Sequence, residues 1–154
     1  MSVPFKEKLT LFISIPYSFN YPTMFTREQI LSALSKVRTG ADYPRLVQDL
    51  RIIGIRKYDH FVADGSNVYF GENDYRVIIE HEQPPIQVSD KSSKDKFKHS
   101  LKIHQKGETD YPTFCVHAGE AGIEKWTCDL KKMKVSYVDK EGKTLVEESI
   151  QPVE

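Results

Sequence analysis

Cys115 and His117 are the residues that first invite a chemical reading. A thiolate beside an imidazole can act as a nucleophile. Two positions apart on a helix, however, side chains point to different sides, so this pair is poorly placed to act together. Cys115, Cys128 and a histidine are metal-ligand types, but no closely spaced ligand pair anchors them. Glu80-His81-Glu82 is further ligand material. Pro84 and Pro85 follow it where the metalloprotease signature requires a helix. There is no phosphate-binding glycine loop and no nucleophile-elbow serine. The sequence therefore nominates no catalytic residue, no metal site and no cofactor.

The aromatic residues are more informative. Tyr58 and Trp126 are 68 positions apart, as are Tyr69 and Tyr137. They are expected to fill a core between helices and sheet. The alternative is that they line a groove for an apolar or planar ligand where two halves of the chain meet. With His60, Asp64 and Asp129 as polar companions, the candidate ligand- or partner-binding set is Tyr58, His60, Asp64, Tyr69, Trp126, Asp129 and Tyr137.

The interval of 68 extends further. Asp42-Tyr43-Pro44 returns as Asp110-Tyr111-Pro112, and Gly54, Ile55 and Lys57 return as Gly122, Ile123 and Lys125. We read this as an internal duplication. Thr26, with Gln29 three residues on, is a capping box that opens a helix carrying Ile30, Leu31, Leu34 and Val37, ended by Gly40. Asp42 and Pro44 start a second helix, striped by Leu46, Leu50 and Ile53 and closed by Gly54. The apolar period then becomes two. Strands are expected around Tyr58–Val62, Val68–Phe70 and Tyr75–Ile79, with turn chemistry at Asp64–Asn67 and Gly71–Asp74. Ser92 or Ser93 caps the next helix, which carries Phe97, Leu101 and His104. Asp110 starts another, in which Phe114, Ala118 and Ala121 take the places of Leu46, Leu50 and Ile53. Strands follow at Ile123–Leu130, Met133–Val138 and Leu145–Ile150. The equivalence also matches Cys115 with Val47, which assigns Cys115 to the core. Lys57 and Lys125 fall on the opposite strand face from Tyr58 and Trp126.

The expected fold is α+β: two ααβββ units, residues 24–85 and 86–154, form one compact domain. Their strands make a largely antiparallel six-stranded sheet with helices packed on one face. Residues 1–23 read as an N-terminal extension. A charged start and the apolar run Leu9–Ile15 have some features of a signal peptide, but Glu7 and the short core argue against one. An extra edge strand or a loose extension is expected instead, with Met24 as the start of the domain.

Composition limits function. Lysine plus arginine and aspartate plus glutamate both total 22, so a net charge of zero offers no global attraction for nucleic acid or acidic membranes. The locally basic helix over 91–106 is expected to carry solvated lysines, with phosphate contact as the alternative. Two cysteines are too few for a disulfide framework. No apolar run approaches membrane-spanning length.

Gly107-x-x-Asp110-Tyr111-Pro112-Thr113-Phe114-Cys115, then Ala121–Trp126, Asp129 and Tyr137-x-Asp139, resemble the bacterial and prophage-borne domain of unknown function 1398. Some members of that family carry the label "phage envelope protein". Phe61–Gly65 and Met24–Ile30 are also similar to it, so the resemblance spans about residues 24–150. It implies no reaction that can be carried over, and nothing in the chain resembles a coat or spike protein. The functional expectation is a small cytoplasmic binding or adaptor protein, with an unknown protein or small molecule as partner. The alternatives are a small enzyme using His60, Asp64 and Asp129 in the cleft between the units, and nucleic-acid contact through the basic helix.

Overall fold

The computed structural model describes residues 24–153. The expectations for residues 1–23 lie outside the described residues, as does Glu154. Thr26 opens the first helix as anticipated: its hydroxyl accepts from Gln29 N at 3.2 Å, and Gln29 Oε1 accepts from Thr26 N at 2.9 Å. Helix α1 (Arg27–Leu34) buries Ile30 and Ala33. It is shorter than its apolar spacing indicates. The Ser35 hydroxyl donates to the Ser32 carbonyl at 2.7 Å at the C-terminus, and Val37 lies beyond the last turn. Leu31 and Val37 are consequently 41% and 37% exposed rather than part of the packed stripe.

Helix α2 (Tyr43–Ile52) buries Leu46, Val47 and Leu50. Its start corrects one expectation. Asp42 does not cap α2 with its side chain. Its carboxylate instead accepts from Arg38 N at 2.9 Å and Thr39 N at 3.0 Å, folding the 3₁₀ turn Gly40–Asp42 that precedes the helix. Asp110 behaves as predicted: it caps helix α4 (Tyr111–Glu120) by accepting from Thr113 N at 2.8 Å. Helix α3 (Lys94–Gln105) is capped by Ser93 and buries Phe97, Ser100 and Leu101. Ser92 is occupied elsewhere, donating to Asp139 at 2.9 Å.

The strands are β1 (Lys57–Phe61), β2 (Asn67–Phe70), β3 (Arg76–Ile79), β4 (Ile123–Asp129), β5 (Lys134–Asp139) and β6 (Thr144–Ser149). They form one sheet in the order β3-β2-β1-β4-β5-β6, with every neighbouring pair antiparallel. Short turns join strands within each half. The junction between halves is β1 against β4, where Asp59 faces Thr127 at the centre of the paired stretch. The flanking pairs are Tyr58 with Cys128 and His60 with Trp126. Alternation sends those four side chains to the helix-covered face, where all are buried. Two further backbone bonds extend the ladder at its ends: Val62 N donates to Glu124 O at 3.0 Å and Leu130 N to Arg56 O at 2.9 Å. Above the sheet, α1 packs on α2 and α3 on α4.

The other face carries a buried charge. Asp59 is only 6% exposed. Its carboxylate accepts from Thr127 Oγ1 at 2.7 Å and lies 3.5 Å from Lys125 Nζ. Lys125 also stands over the Phe61 ring, and Lys57 over Phe70. Thr127→Val takes away a donor from this carboxylate while keeping side-chain shape. It is expected to destabilise the fold by about 1–3 kcal/mol in urea titrations, with Thr127→Ser closer to wild type.

Candidate functional site at the central strand pair

Two tyrosines at equivalent helix starts reach the same part of the sheet. From the first turn of α2, the Tyr43 hydroxyl shares hydrogen bonds with the Tyr58 hydroxyl at 2.8 Å and the Cys128 thiol at 3.0 Å. From the first turn of α4, Tyr111 stands edge-on to His60 and Trp126, with ring centroids 6.3 and 6.5 Å away. These contacts correspond position by position: adding 68 to 43, 58 and 60 gives 111, 126 and 128. Tyr58 packs on Tyr69 at 5.3 Å, and Trp126 on Tyr137 at 5.8 Å, which again match. Pro44 and Pro112 sit in the first helical turns, so each Tyr-Pro step presents its phenol from a fixed helix start.

The seven candidate residues divide accordingly. Tyr58, His60, Tyr69, Trp126 and Tyr137 share the buried helix-side face. Asp64 does not join them directly. It sits in the β1–β2 turn, where its carboxylate accepts from Ser66 N at 2.9 Å and Ser66 Oγ at 2.7 Å. Asp129 is at the other end of the β1–β4 pair, opposite Lys57. Alternation puts it on the sheet face away from the helices, and it accepts from Lys131 N and Lys132 N. His60, Asp64 and Asp129 therefore do not converge as a polar catalytic set, because His60 on β1 and Asp129 on β4 point to opposite faces of the sheet and Asp64 lies in the β1–β2 turn. Tyr43, Tyr111, Cys115 and Cys128 are contributors that the sequence-based set omits. The signal for the two tyrosines was present in the repeated Asp-Tyr-Pro, whose aspartate and proline suffice for a helix start and leave the tyrosine without a role.

The site is built to stay uncharged. Burial pushes the Cys115 thiol up to about 11, with the neighbouring Tyr111 hydroxyl pulling the other way. Burial likewise raises Cys128 to about 11 against the opposing effect of its tyrosine partners. Burial also raises Tyr58 and Tyr69 above the usual phenol range. Tyr111 moves in the same direction, although half of its surface faces water and screens the effect. His60 is lowered by burial, with the Asn67 hydrogen bond opposing. Protonated thiols make poor nucleophiles, and both cysteines pack among the core side chains. His117 does not serve Cys115 as a base: its buried Nδ1 has no hydrogen-bond partner. Among the described residues no group of histidine, cysteine and carboxylate side chains is arranged to hold a metal ion.

His60 lies stacked on Trp126, with ring centroids 4.3 Å apart and planes inclined by 20°. Tyr111 is nearly equidistant from the two rings and steeply inclined to both, at 67° and 84°. It therefore flanks the edge of the stack rather than covering its face. His60 Nδ1 donates to Asn67 Oδ1 at 2.8 Å, since a carbonyl oxygen can only accept. In the neutral ring this leaves Nε2 as an acceptor. Among the described residues, His60 Nε2, Trp126 Nε1 and the Tyr69 hydroxyl have no hydrogen-bond partner. They are also not sealed, because His117 Nδ1 alone is both fully buried and unpartnered. Tyr111 itself is 52% exposed.

Two open clefts lie elsewhere. One, of about 830 Å³, runs beside the 85–91 segment and is rimmed by Lys91, Lys96 and Lys140. Lys140 is already paired with Asp90 at 2.6 Å. The other, of about 460 Å³, lies between Phe25, the end of α2 and the β2–β3 turn. Neither gathers aromatic faces with unengaged polar atoms, which is what small-molecule recognition requires. Lys94, Lys98, Lys102 and Lys106 on and after α3 are exposed, as expected of solvated side chains.

A family model described as a protein of unknown function, DUF1398, matches residues 32–149. No curated protein matches the chain.

Proposed function

We propose that this chain, which belongs to the DUF1398 family, is a binding protein whose ligand enters at the central strand pair beside Tyr111. One observation carries the reading. A half-exposed tyrosine flanks a buried His60–Trp126 stack in which His60 Nε2 and Trp126 Nε1 have no hydrogen-bond partner among the described residues. Core residues alone do not need that combination. The ionisable groups around it are held in their neutral forms, which favours binding over nucleophilic chemistry.

We also read residues 24–85 and 86–154 as duplicated units. The support is the β1–β4 register: Tyr58 with Cys128 becomes Trp126 with His60 when each member is exchanged for its counterpart 68 positions away in the other unit. The binding site then lies on the pseudo-two-fold seam, where copies diverged: His60 stands for Cys128, and Trp126 for Tyr58. Two free, buried thiols suit a reducing compartment, and we assign the protein to the cytoplasm. No helix among the described residues is long and apolar enough to cross a membrane. A prophage-borne origin rests on the family resemblance.

Native mass spectrometry of the full chain, purified without denaturant, tests the reading. The expected result is a non-covalent adduct of small-molecule mass, removed by Tyr111→Ala while the thermal midpoint stays near wild type. A bare chain, or an adduct indifferent to Tyr111→Ala, would overturn it.

A further inference from the structure

We infer that helix α3 is a docking surface for the phosphate backbone of a nucleic-acid duplex, gripped by a row of lysines without sequence readout. The inference does not depend on the seam, and either can fail without the other. Residues 91–106 hold six lysines, Lys91, Lys94, Lys96, Lys98, Lys102 and Lys106, against one carboxylate, Asp95. That segment therefore carries a net charge of +5, and a chain of net charge zero carries −5 outside it. The positive charge is segregated, which the neutral total conceals. All six lysines are exposed. Among the described residues, the carboxylates that form ion pairs take Arg45, Arg56, Lys125, Lys134 and Lys140, and none reaches a lysine of 91–106. Lys94, Lys98, Lys102 and Lys106 recur every four residues. They stand about 6 Å apart along about 18 Å of axis, on one broad side of the helix. This arrangement works against the isolated helix. Like charges four residues apart repel, and lysines in the first turn oppose the helix dipole. An external row of negative charge relieves both costs, and a duplex supplies one, with a phosphate about every 3.4 Å along each strand.

Charge alone also suits an acidic membrane or a single strand, and the rest of the helix decides between them. Phe97 and Leu101 are buried in the core, and no large apolar side chain of α3 is exposed. A helix that lies in a bilayer interface needs such a face. No exposed phenylalanine, tyrosine or tryptophan on α3 is available to stack unpaired bases. Readout of base edges has no means either. Residues 91–106 contain no arginine, and the Gln105 amide already donates to Glu148 at 2.8 Å. What remains is a set of point charges, which hold phosphates of any sequence.

Fluorescence anisotropy of a labelled DNA duplex, titrated with the full chain at low and moderate salt, tests the surface. Saturable binding is expected at about 50 mM salt. Four phosphate contacts predict a fall in affinity of about 150-fold between about 50 and 200 mM. Lys98→Gln combined with Lys102→Gln leaves two contacts and should reduce that fall to about tenfold. Lys131→Gln combined with Lys132→Gln removes the same charge from the β4–β5 turn and should leave the fall as in wild type. All four positions are exposed, so both variants should keep thermal midpoints near wild type. If phosphatidylserine vesicles bind and the duplex does not, the surface belongs to membranes. If neither binds, the lysines are solvated and nothing more. A single strand of the same sequence held more tightly than the duplex, or equal losses from the two double variants, would also overturn the inference.

Discussion

Between about pH 9 and pH 11 the domain is expected to lose much of its folding stability, whereas neutral buffers should leave it stable. The cause is the population of buried acids at the central strand pair. Cys115 and Cys128 are 4% and 1% exposed, and burial holds each near 11 instead of 9.0. The sign follows from linkage. Above pH 9 the unfolded chain releases these protons while the folded chain retains them, so rising pH favours the unfolded state. The thiols' contribution is complete below pH 9 and is lost as pH climbs towards 11. At 1.36 kcal/mol per pKa step, each thiol forfeits about 2–3 kcal/mol by the end of that window. Together they approach the lower end of the 5–15 kcal/mol typical of a whole domain. Buried phenols add to the loss above their ordinary value of 10.0, because Tyr43, Tyr58, Tyr69 and Tyr137 are all raised by burial. Urea titrations at stepped pH check the slope, and tyrosinate absorbance should rise with unfolding rather than before it. Cys115→Ala combined with Cys128→Ala should remove the part of the decline that begins near pH 9 and leave the phenol part. A stability flat to pH 11 would mean that these groups ionise freely in the folded state.

That prediction depends on a long-range arrangement which the amino-acid order disclosed only in part. Helix starts and turns are local, so Thr26, Ser93, Asp110 and the left-handed Gly54, Gly65 and Gly142 were readable where they stand. Alternation correctly sorted Tyr58, His60, Trp126 and Cys128 to one face. It does not reveal which strand lies next to which. The β1–β4 pairing joins residues separated by two further strands and two helices, and no local pattern encodes that register. Asp59 illustrates the consequence. Its place on the face away from the helices reads as a solvated carboxylate, yet Thr127 and Lys125 from the other half enclose it.

The repeated Asp-Tyr-Pro was readable as a repeat but not as a pair of equivalent local structures. Asp42 and Asp110 occupy matching positions, but the first is drawn into the preceding turn by Arg38 N and Thr39 N. The second follows Gly107 and Thr109 and keeps its carboxylate for Thr113. The difference lies in the neighbours that compete for the same oxygen atoms. The tyrosines show the converse. Their local settings differ, yet both reach the central pair: Tyr43 bonds to Tyr58 and Cys128, and Tyr111 stands beside His60 and Trp126. A candidate site assembled from two helix starts and two central strands depends on every intervening element, so residue types alone nominated its sheet half and omitted its helix half.

Gly122 is a place where the second half is exposed to a single change. Gly122→Ala is expected to cost at least about twice as much stability as Gly142→Ala, although both replace a glycine with positive φ. Gly142 has φ of +84°, and a Cβ built there meets nothing within 4 Å. Its replacement carries the backbone cost alone, about 1–2 kcal/mol. Gly122 has φ of +86°, and its Cβ would lie 2.7 Å from Ser92 Cα and 3.1 Å from Ser92 N. Those are backbone atoms, so no rotamer change relieves the clash. Ser92 is itself pinned. Its hydroxyl donates to Asp139, the adjacent Ser93 N donates to Ala121 O, and Asp139 gathers Glu141 N and Lys143 N to form the β5–β6 turn. The added methyl must therefore displace the start of α3, the end of α4 or that turn. A loss of at least about 3 kcal/mol is expected. Urea midpoints of the two variants decide the matter. The comparison is internal, since the φ values are nearly equal and the surroundings are not. Equal losses would show that the α4–β4 junction yields around the new methyl, and that the close approach to Ser92 is not what holds α4, and with it Tyr111, against the central strands.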